Sequence, residues 1–200
     1  MVEDLPQEGW PVAGTAEHFR NWLISVRTDK VVMPDSHQVE RTVITHIGAV
    51  AILALDEQDR VLMIRQYRHP VARQLWEIPA GLRDVAGEAL ADTARRELLE
   101  ETGHVASDWQ VLLDSYSSPG IITERMRVFL ARGLQPADSG YQRHGEEKFL
   151  ETAWVPLADA VAGALAGKLH NGATVQGILA GYVASLDRYS GLRAADAPEG

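Results

Sequence analysis

The feature that most constrains the fold is the run from Gly48 to Leu55, Gly-Ala-Val-Ala-Ile-Leu-Ala-Leu, which holds no polar side chain. A half-exposed strand would alternate; a continuous apolar run of this length reads as a strand buried on both faces. Turn residues Asp56-Glu57-Gln58-Asp59 follow it, and Val61 to Tyr67 reads as the next strand. Upstream, Met33 to His37 reads as a turn and Gln38 to Thr45 alternates like a strand, so the chain is sheet-rich up to residue 80. Glu88 to Glu101 is the best helix: Ala89, Leu90, Ala91, Ala94 and Leu98 form an apolar side, and Gly103 sits where a helix stops. Strands are expected at Gln110–Tyr116, Met126–Ala131 and Ala153–Val155, and helices at Pro156–Leu169 and Thr174–Tyr189. Leu134 to Lys148, with Pro136, Gly140 and Gly145, reads as a long polar loop. Residues 1 to 16, with Pro6, Pro11 and Gly14, read as a loose arm; Phe19 to Val32 is apolar but irregular. The last ten residues read as a tail, and no internal repeat is visible.

Length and charge narrow the function. Two hundred residues suit one compact domain with a small extension. The 28 acidic residues outnumber the 19 basic ones, a net charge of -9, which argues against nucleic-acid backbone or an anionic membrane as partner. The balance suits a protein that gathers divalent cations, and equally an ordinary acidic cytosolic protein. The absence of cysteine excludes disulfides, thiolate metal sites and cysteine nucleophiles. Met1-Val2-Glu3-Asp4 lacks the basic and apolar regions of a signal peptide. The longest apolar run, Ile44 to Leu55, contains His46 and is too short to span a bilayer. The expected location is cytoplasmic.

The chemistry lies between Ile78 and Gly103. On a helix, Glu97, Glu100 and Glu101 share one face, and like charges at that spacing each cost a few tenths of a kcal/mol. A cation between them removes the cost, and carboxylate oxygens are suitable ligands for Mg²⁺ or Mn²⁺. Glu88, nine residues before Glu97, either returns to the metal or pairs with Arg96 and fixes the geometry. For three glutamates alone, a solvated acidic face balanced by Arg95 and Arg96 is the plainer reading. The combined string decides against it.

Glu88, Arg96, Glu97, Leu98, Glu100, Glu101 and Gly103 stand in register with the Nudix box, G-x5-E-x7-R-E-U-x-E-E-x-G-U, where U is a bulky apolar residue. The segment resembles that signature closely, with two departures. Gly81 stands one residue too early for the first glycine, and His104 occupies the final apolar position. An extra turn residue before the helix leaves the helical carboxylates in register. Gln66-Tyr67-Arg68, Trp76-Glu77-Ile78-Pro79-Ala80-Gly81 and Ser118-Pro119-Gly120, with Pro119 sixteen residues after Gly103, resemble the ADP-ribose pyrophosphatase branch.

The resemblance implies an α/β class fold, a Nudix α/β/α sandwich with a mixed sheet, preceded by a small β-rich arm. It divides the chain into an arm at 1–45 for dimerisation, a hydrolase domain at 46–190 and a flexible tail at 191–200. It implies a homodimer and hydrolysis of ADP-ribose to AMP and ribose 5-phosphate. Alternatives are another nucleotide sugar, a dinucleotide, or an ADP-ribose sensor without catalysis. It also implies roles. Glu97 and Glu101 would hold Mg²⁺ (Mn²⁺ in its place), assisted by Glu100, Glu88 and the backbone carbonyl of Ala80. The base would be a glutamate of the polar loop, Glu147 ahead of Glu146, with Glu100 as the helical candidate. Arg68 would meet the substrate phosphates, Arg41 would reach a partner's site, and Glu124, beyond the turn at Gly120, would meet ribose hydroxyls. Trp22, Phe19 and Tyr67 are the candidates for stacking on adenine.

Overall fold

The computed structural model describes residues 2–4, 7–137 and 148–199. The chain divides into two compact units, Met1–Ile47 with Ser118–Glu124, and Gly48–Ser117 with Arg125–Gly200.

The first unit is a three-stranded antiparallel sheet of β1 (Val12–Arg20), β2 (Ile24–Val32) and β3 (Gln38–His46), in that order. β1 therefore begins at Val12, inside the segment expected to be a loose arm. β2 supplies pairing partners along the opening strand, with a register shift between Val12 and Gly14 that leaves Ala13 unmatched. Ser118–Glu124 joins this unit through Ile44: its N–H donates to Ile121 O at 2.8 Å, and Thr123 N donates to Ile44 O at 2.9 Å.

Among its described residues, the second unit contains two sheets and three α-helices. In the larger sheet the order is β11 (Arg193–Ala194), β8 (His104–Tyr116), β9 (Arg125–Pro136), β4 (Ala49–Ala54), β7 (Ala80–Leu82). β4 runs parallel to β9 and the other pairs are antiparallel, so the sheet is mixed. The smaller sheet orders β10 (Glu151–Pro156), β5 (Arg60–Arg68), β6 (Arg73–Glu77). Every residue of β4 is buried, as its apolar run requires. Val50, Ile52 and Ala54 pack with Ala91, Ala94 and Leu98 of helix α1 (Leu90–Thr102). Ala51 and Leu53 point the other way, into the cluster that holds Ile178 of α3 (Gly172–Ser185) and Ala160 of α2 (Leu157–Leu165). The alternation of side chains along one strand thus feeds two apolar layers.

Two other segments differ from expectation. β9 runs on to Pro136, paired opposite His104, because the long strand β8 offers partners beyond Ala131; the remainder of the expected polar loop, 138–147, lies outside the described residues. The C-terminal tail is docked. Arg193 and Ala194 pair with Val111 and Gln110, and the buried guanidinium of Arg127 donates to Ala197 O at 2.6 Å and Pro198 O at 3.0 Å. The buried charge demands acceptors, and the tail's carbonyls supply them.

Candidate active site

Helix α1 sets the site by its periodicity. Ala94, Leu98 and Glu101 fall on its buried side, so Glu101 is only 6% exposed. Its Oε2 accepts a hydrogen bond from the Ala80 backbone N–H at 3.0 Å. The helix ends at Gly103, whose φ of 69° is the left-handed cap conformation and whose N–H donates to Leu99 O. Glu97, one turn back, lies across Gly81. A Cβ on that glycine would sit 2.0 Å from Glu97 Cδ, so a larger residue there would displace the carboxylate from its present position.

One cation stands among the carboxylates. Arg96 pairs with Glu97 at 2.6 Å, Glu88 at 3.1 Å, Glu100 at 3.4 Å and Asp84 at 3.5 Å. Both roles weighed for Glu88 bear on this picture, and its side chain is on the arginine, with Thr93 Oγ1 donating to it as well. The hydrogen bond from Arg96 holds Glu88 below the usual carboxylate range. Burial pushes Glu97 above that range; Arg96 opposes the rise, and the charges of Glu100 and Asp84 add to it. With all four ionised, four carboxylates less one guanidinium leave three negative charges.

That surplus and the all-oxygen donor set fit a divalent cation. Among the described residues, no three acidic or histidine side chains already converge to hold one. Glu88, Glu97 and Glu100 are paired with Arg96. Ala80 contributes its N–H to Glu101 and pairs with Ala51 of β4; its expected carbonyl role is a separate matter.

A second pairing sits at the end of β5. Arg68 Nε donates to Glu77 Oε1 at 2.9 Å and Nη2 to Oε2 at 2.7 Å. Glu77 is 1% exposed, whereas the Arg68 side chain is 41% exposed. The backbone between Glu77 and Ala80 is anchored at successive residues. Ile78 N donates to the buried Thr174 Oγ1 at 3.0 Å, and Pro79 O accepts from Ile52 N at 2.8 Å. Thr174 Oγ1 in turn donates to Asn171 Oδ1, the N-cap of α3.

The structure therefore brings together Ala80, Glu88, Glu97, Glu100 and Glu101, and links Arg68 to them along one short run of backbone. Of the remaining candidates, Arg41, Trp22, Phe19, Gly120 and Glu124 belong to the first unit, and Tyr67 stands on β5 of the second. Arg41 lies opposite Asp29 in the sheet and donates to Glu40 O. Trp22, in the β1–β2 turn, is 70% exposed. Glu124 faces His46 Nδ1 at 3.5 Å, and Gly120 lies in an exposed turn. Phe19 and Tyr67 are half exposed rather than core. Glu146 and Glu147 lie outside the described residues.

The NUDIX domain family matches residues 45–174, a span that includes the carboxylate helix and ends on Thr174. The chain belongs to the Nudix family. It is 45% identical over 158 residues to the ADP-ribose pyrophosphatase of Mycobacterium tuberculosis (strain ATCC 25618 / H37Rv), covering 79% of this chain and 76% of that one. It is 36% identical to the ADP-ribose pyrophosphatase of Bacillus subtilis (strain 168), covering 72% and 76%. A methanol dehydrogenase activator of Bacillus methanolicus is 31% identical, covering 74% and 78%. The fold matches the crystal structure of an ADP compounds hydrolase with a TM-score of 0.74 at 21% identity, over 94% of this chain and 99% of that one. Nudix hydrolases generally use a divalent metal, in keeping with the charge surplus around Arg96.

Sequence reasoning missed three features. Glu77, a carboxylate between Trp76 and Ile78 at the end of a strand, is by that placement a signal of a buried partner, and it holds Arg68. Arg96 does not pair with Glu88 alone but stands at the centre of the cluster. Thr174 carries no local signal, since its partner Ile78 is 96 residues away.

Proposed function

We propose that the protein hydrolyses the pyrophosphate of ADP-ribose, giving AMP and ribose 5-phosphate, with Mg²⁺ as the metal. The observation that carries this reading is the cluster of Glu88, Glu97 and Glu100 around Arg96, with Glu101 held by Ala80 N–H on the same helix, within a chain so similar to named ADP-ribose pyrophosphatases. Water attacks one phosphorus, the bridging P–O bond breaks, and a proton leaves the attacking water. Bound metal would neutralise the phosphates and lower the pKa of water. Glu97 and Glu101 would hold it with the Ala80 carbonyl, and Glu88 and Glu100 would assist, which requires Glu97 and Glu100 to turn from Arg96. Glu101 is already oriented by its bond to Ala80 N–H. Arg68 would bind a phosphate oxygen, and Glu147 would take the proton, with Glu146 and Glu100 the alternatives that substitution separates.

The same reading assigns Glu124 to ribose hydroxyls beyond the Gly120 turn, and Arg41 and Trp22 to the site of a second copy. Exposed Trp10, Val12, Phe19 and Trp22 supply apolar surface for a homodimer through the arm of residues 1–45. Light scattering at micromolar concentration should give twice the chain mass of 22.0 kDa. No helix among the described residues is long and apolar enough to cross a membrane; the proposed location is cytoplasmic.

Phosphate-coupled turnover across nucleotide sugars, dinucleotides and nucleoside triphosphates, with Mg²⁺ or Mn²⁺, tests the assignment. ADP-ribose should give the highest kcat/KM. A higher value for a nucleoside triphosphate would overturn the substrate class while leaving the family intact.

A further inference from the structure

We infer that Glu77 is a positioning residue: its buried carboxylate fixes the plane of the Arg68 guanidinium and so aims it at a substrate phosphate. The inference rests on the pyrophosphatase reading, in which Arg68 touches the substrate. Glu77 closes β6 opposite Ile64 of β5, and Arg68 lies four residues beyond Ile64. Even spacing puts Arg68 and Ile64 on one face of the strand, the face on which Glu77 also stands. The two side chains meet through a fork of two charge-assisted hydrogen bonds, 2.9 and 2.7 Å. Two such bonds fix direction as well as attraction, which a single contact cannot do.

Burial makes the pair informative. A carboxylate that is 1% exposed loses nearly all its hydration, and an apolar side chain at position 77 would avoid that cost. The arginine, by contrast, keeps much of its surface in solvent, where it can meet a ligand. The pair therefore has a fixed inner end and a presented outer end. The inner end is tied to the metal side of the site. From Glu77 the chain passes through Ile78, held by Thr174, and Pro79, held by Ile52, to Ala80, whose N–H binds Glu101. One short strap thus sets Arg68 in register with the carboxylate helix. A displacement of about an ångström between reacting groups can cost on the order of a hundredfold in rate, so such a register matters to catalysis.

Steady-state kinetics with ADP-ribose and Mg²⁺ test this with Glu77→Gln, Glu77→Asp, Arg68→Ala and the double variant Glu77→Gln/Arg68→Ala. Glu77→Gln keeps the shape and loses the charge; Glu77→Asp keeps the charge and moves it back by one methylene. Each should lower kcat/KM by roughly tenfold or more, chiefly through KM. Thermal melts identify the variants that fold, and Glu77→Asp decides alone if Glu77→Gln does not. In the Arg68→Ala background, the Glu77 change should cost less than about threefold further, because its effect passes through the arginine. A purely structural Glu77 would give independent, additive losses, and that result overturns the inference. So does wild-type kcat/KM in folded Glu77→Asp when Arg68→Ala is impaired. Wild-type kinetics in Arg68→Ala would instead remove Arg68 from the substrate, and no turnover by the unaltered protein would remove the pyrophosphatase reading; either takes the inference with it.

Discussion

Arg96 and Arg68 are both held by carboxylates, in opposite proportions. Arg96 is shared among four acids on and before the carboxylate helix, whereas Arg68 closes a two-bond fork with the buried Glu77. Around Arg96 the charge is in deficit, so the cluster has capacity for a further cation and its bonds can be exchanged. At Arg68 the geometry is fixed by the fork. The first arrangement suits a site that must admit a metal ion; the second suits one that must present a guanidinium in a single direction. Bonds shared among several acids against a closed fork, rather than the presence of ion pairs, separate an adaptable region from a preset one.

The largest effect should come from Glu101, which is buried on the inner side of the helix. Glu101→Gln keeps the shape and the bond from Ala80 N–H but loses the charge available to a cation. Turnover of ADP-ribose should fall by at least about a hundredfold, roughly 2.7 kcal/mol of transition-state stabilisation. Near-normal kcat in a folded variant would show that the deficit around the helix has no catalytic use.

Removing the cation from the cluster comes next. Arg96→Met leaves Glu88, Glu97 and Glu100 without their shared partner. The metal-free protein should lose roughly 1–3 kcal/mol, about 3–10 °C in Tm, and saturating Mg²⁺ should raise Tm more in the variant than in the parent. Equal responses to Mg²⁺ in calorimetry would contradict the idea that arginine and metal compensate the same charges.

A third arginine is the control. Arg127 is buried like Glu77, and its acceptors are Asp114 and two carbonyls of the C-terminal segment. Burial pushes Asp114 up, but the bonds from Arg127 and Arg193 outweigh it and hold the acid below the ordinary range. Ending the chain at Leu192 should cost roughly 1–2 kcal/mol, about 3–6 °C, with kcat/KM unchanged. A loss of activity at unchanged Tm would place the tail in the chemistry.

The smallest effect is a slope with pH. Because burial raises Glu97 above its unfolded value, its contribution to stability is fully present below that value, near 4.5, and is lost as pH rises through the folded one. Metal-free Glu97→Gln should therefore gain stability relative to the parent as pH rises through that window. Glu88, held low by Arg96, has the opposite sign: its contribution is present above 4.5 and is lost as pH falls through its lowered value. A Tm difference between Glu97→Gln and the parent that stays constant with pH would show that burial of Glu97 has no energetic consequence.

What the sequence by itself determined were features of short range. The apolar run of β4, the apolar stripe of α1, its stop at Gly103 and the spacing of Glu97, Glu100 and Glu101 are all local, because pleat and helical turn repeat within a few residues. The family signature was equally legible, since its residues stand on one helix and the turn before it. Tertiary structure alone decided which acids face inward, that Arg96 rather than open solvent lies among them, and that Glu77 is buried against Arg68. It also decided that the C-terminal segment closes over Arg127 and that Thr174 anchors Ile78. Each of those outcomes depends on residues far apart in the chain whose charges or backbone groups are buried together. Burial forces a polar group to find its partner, and the fold, not the local pattern, determines which partner is within reach.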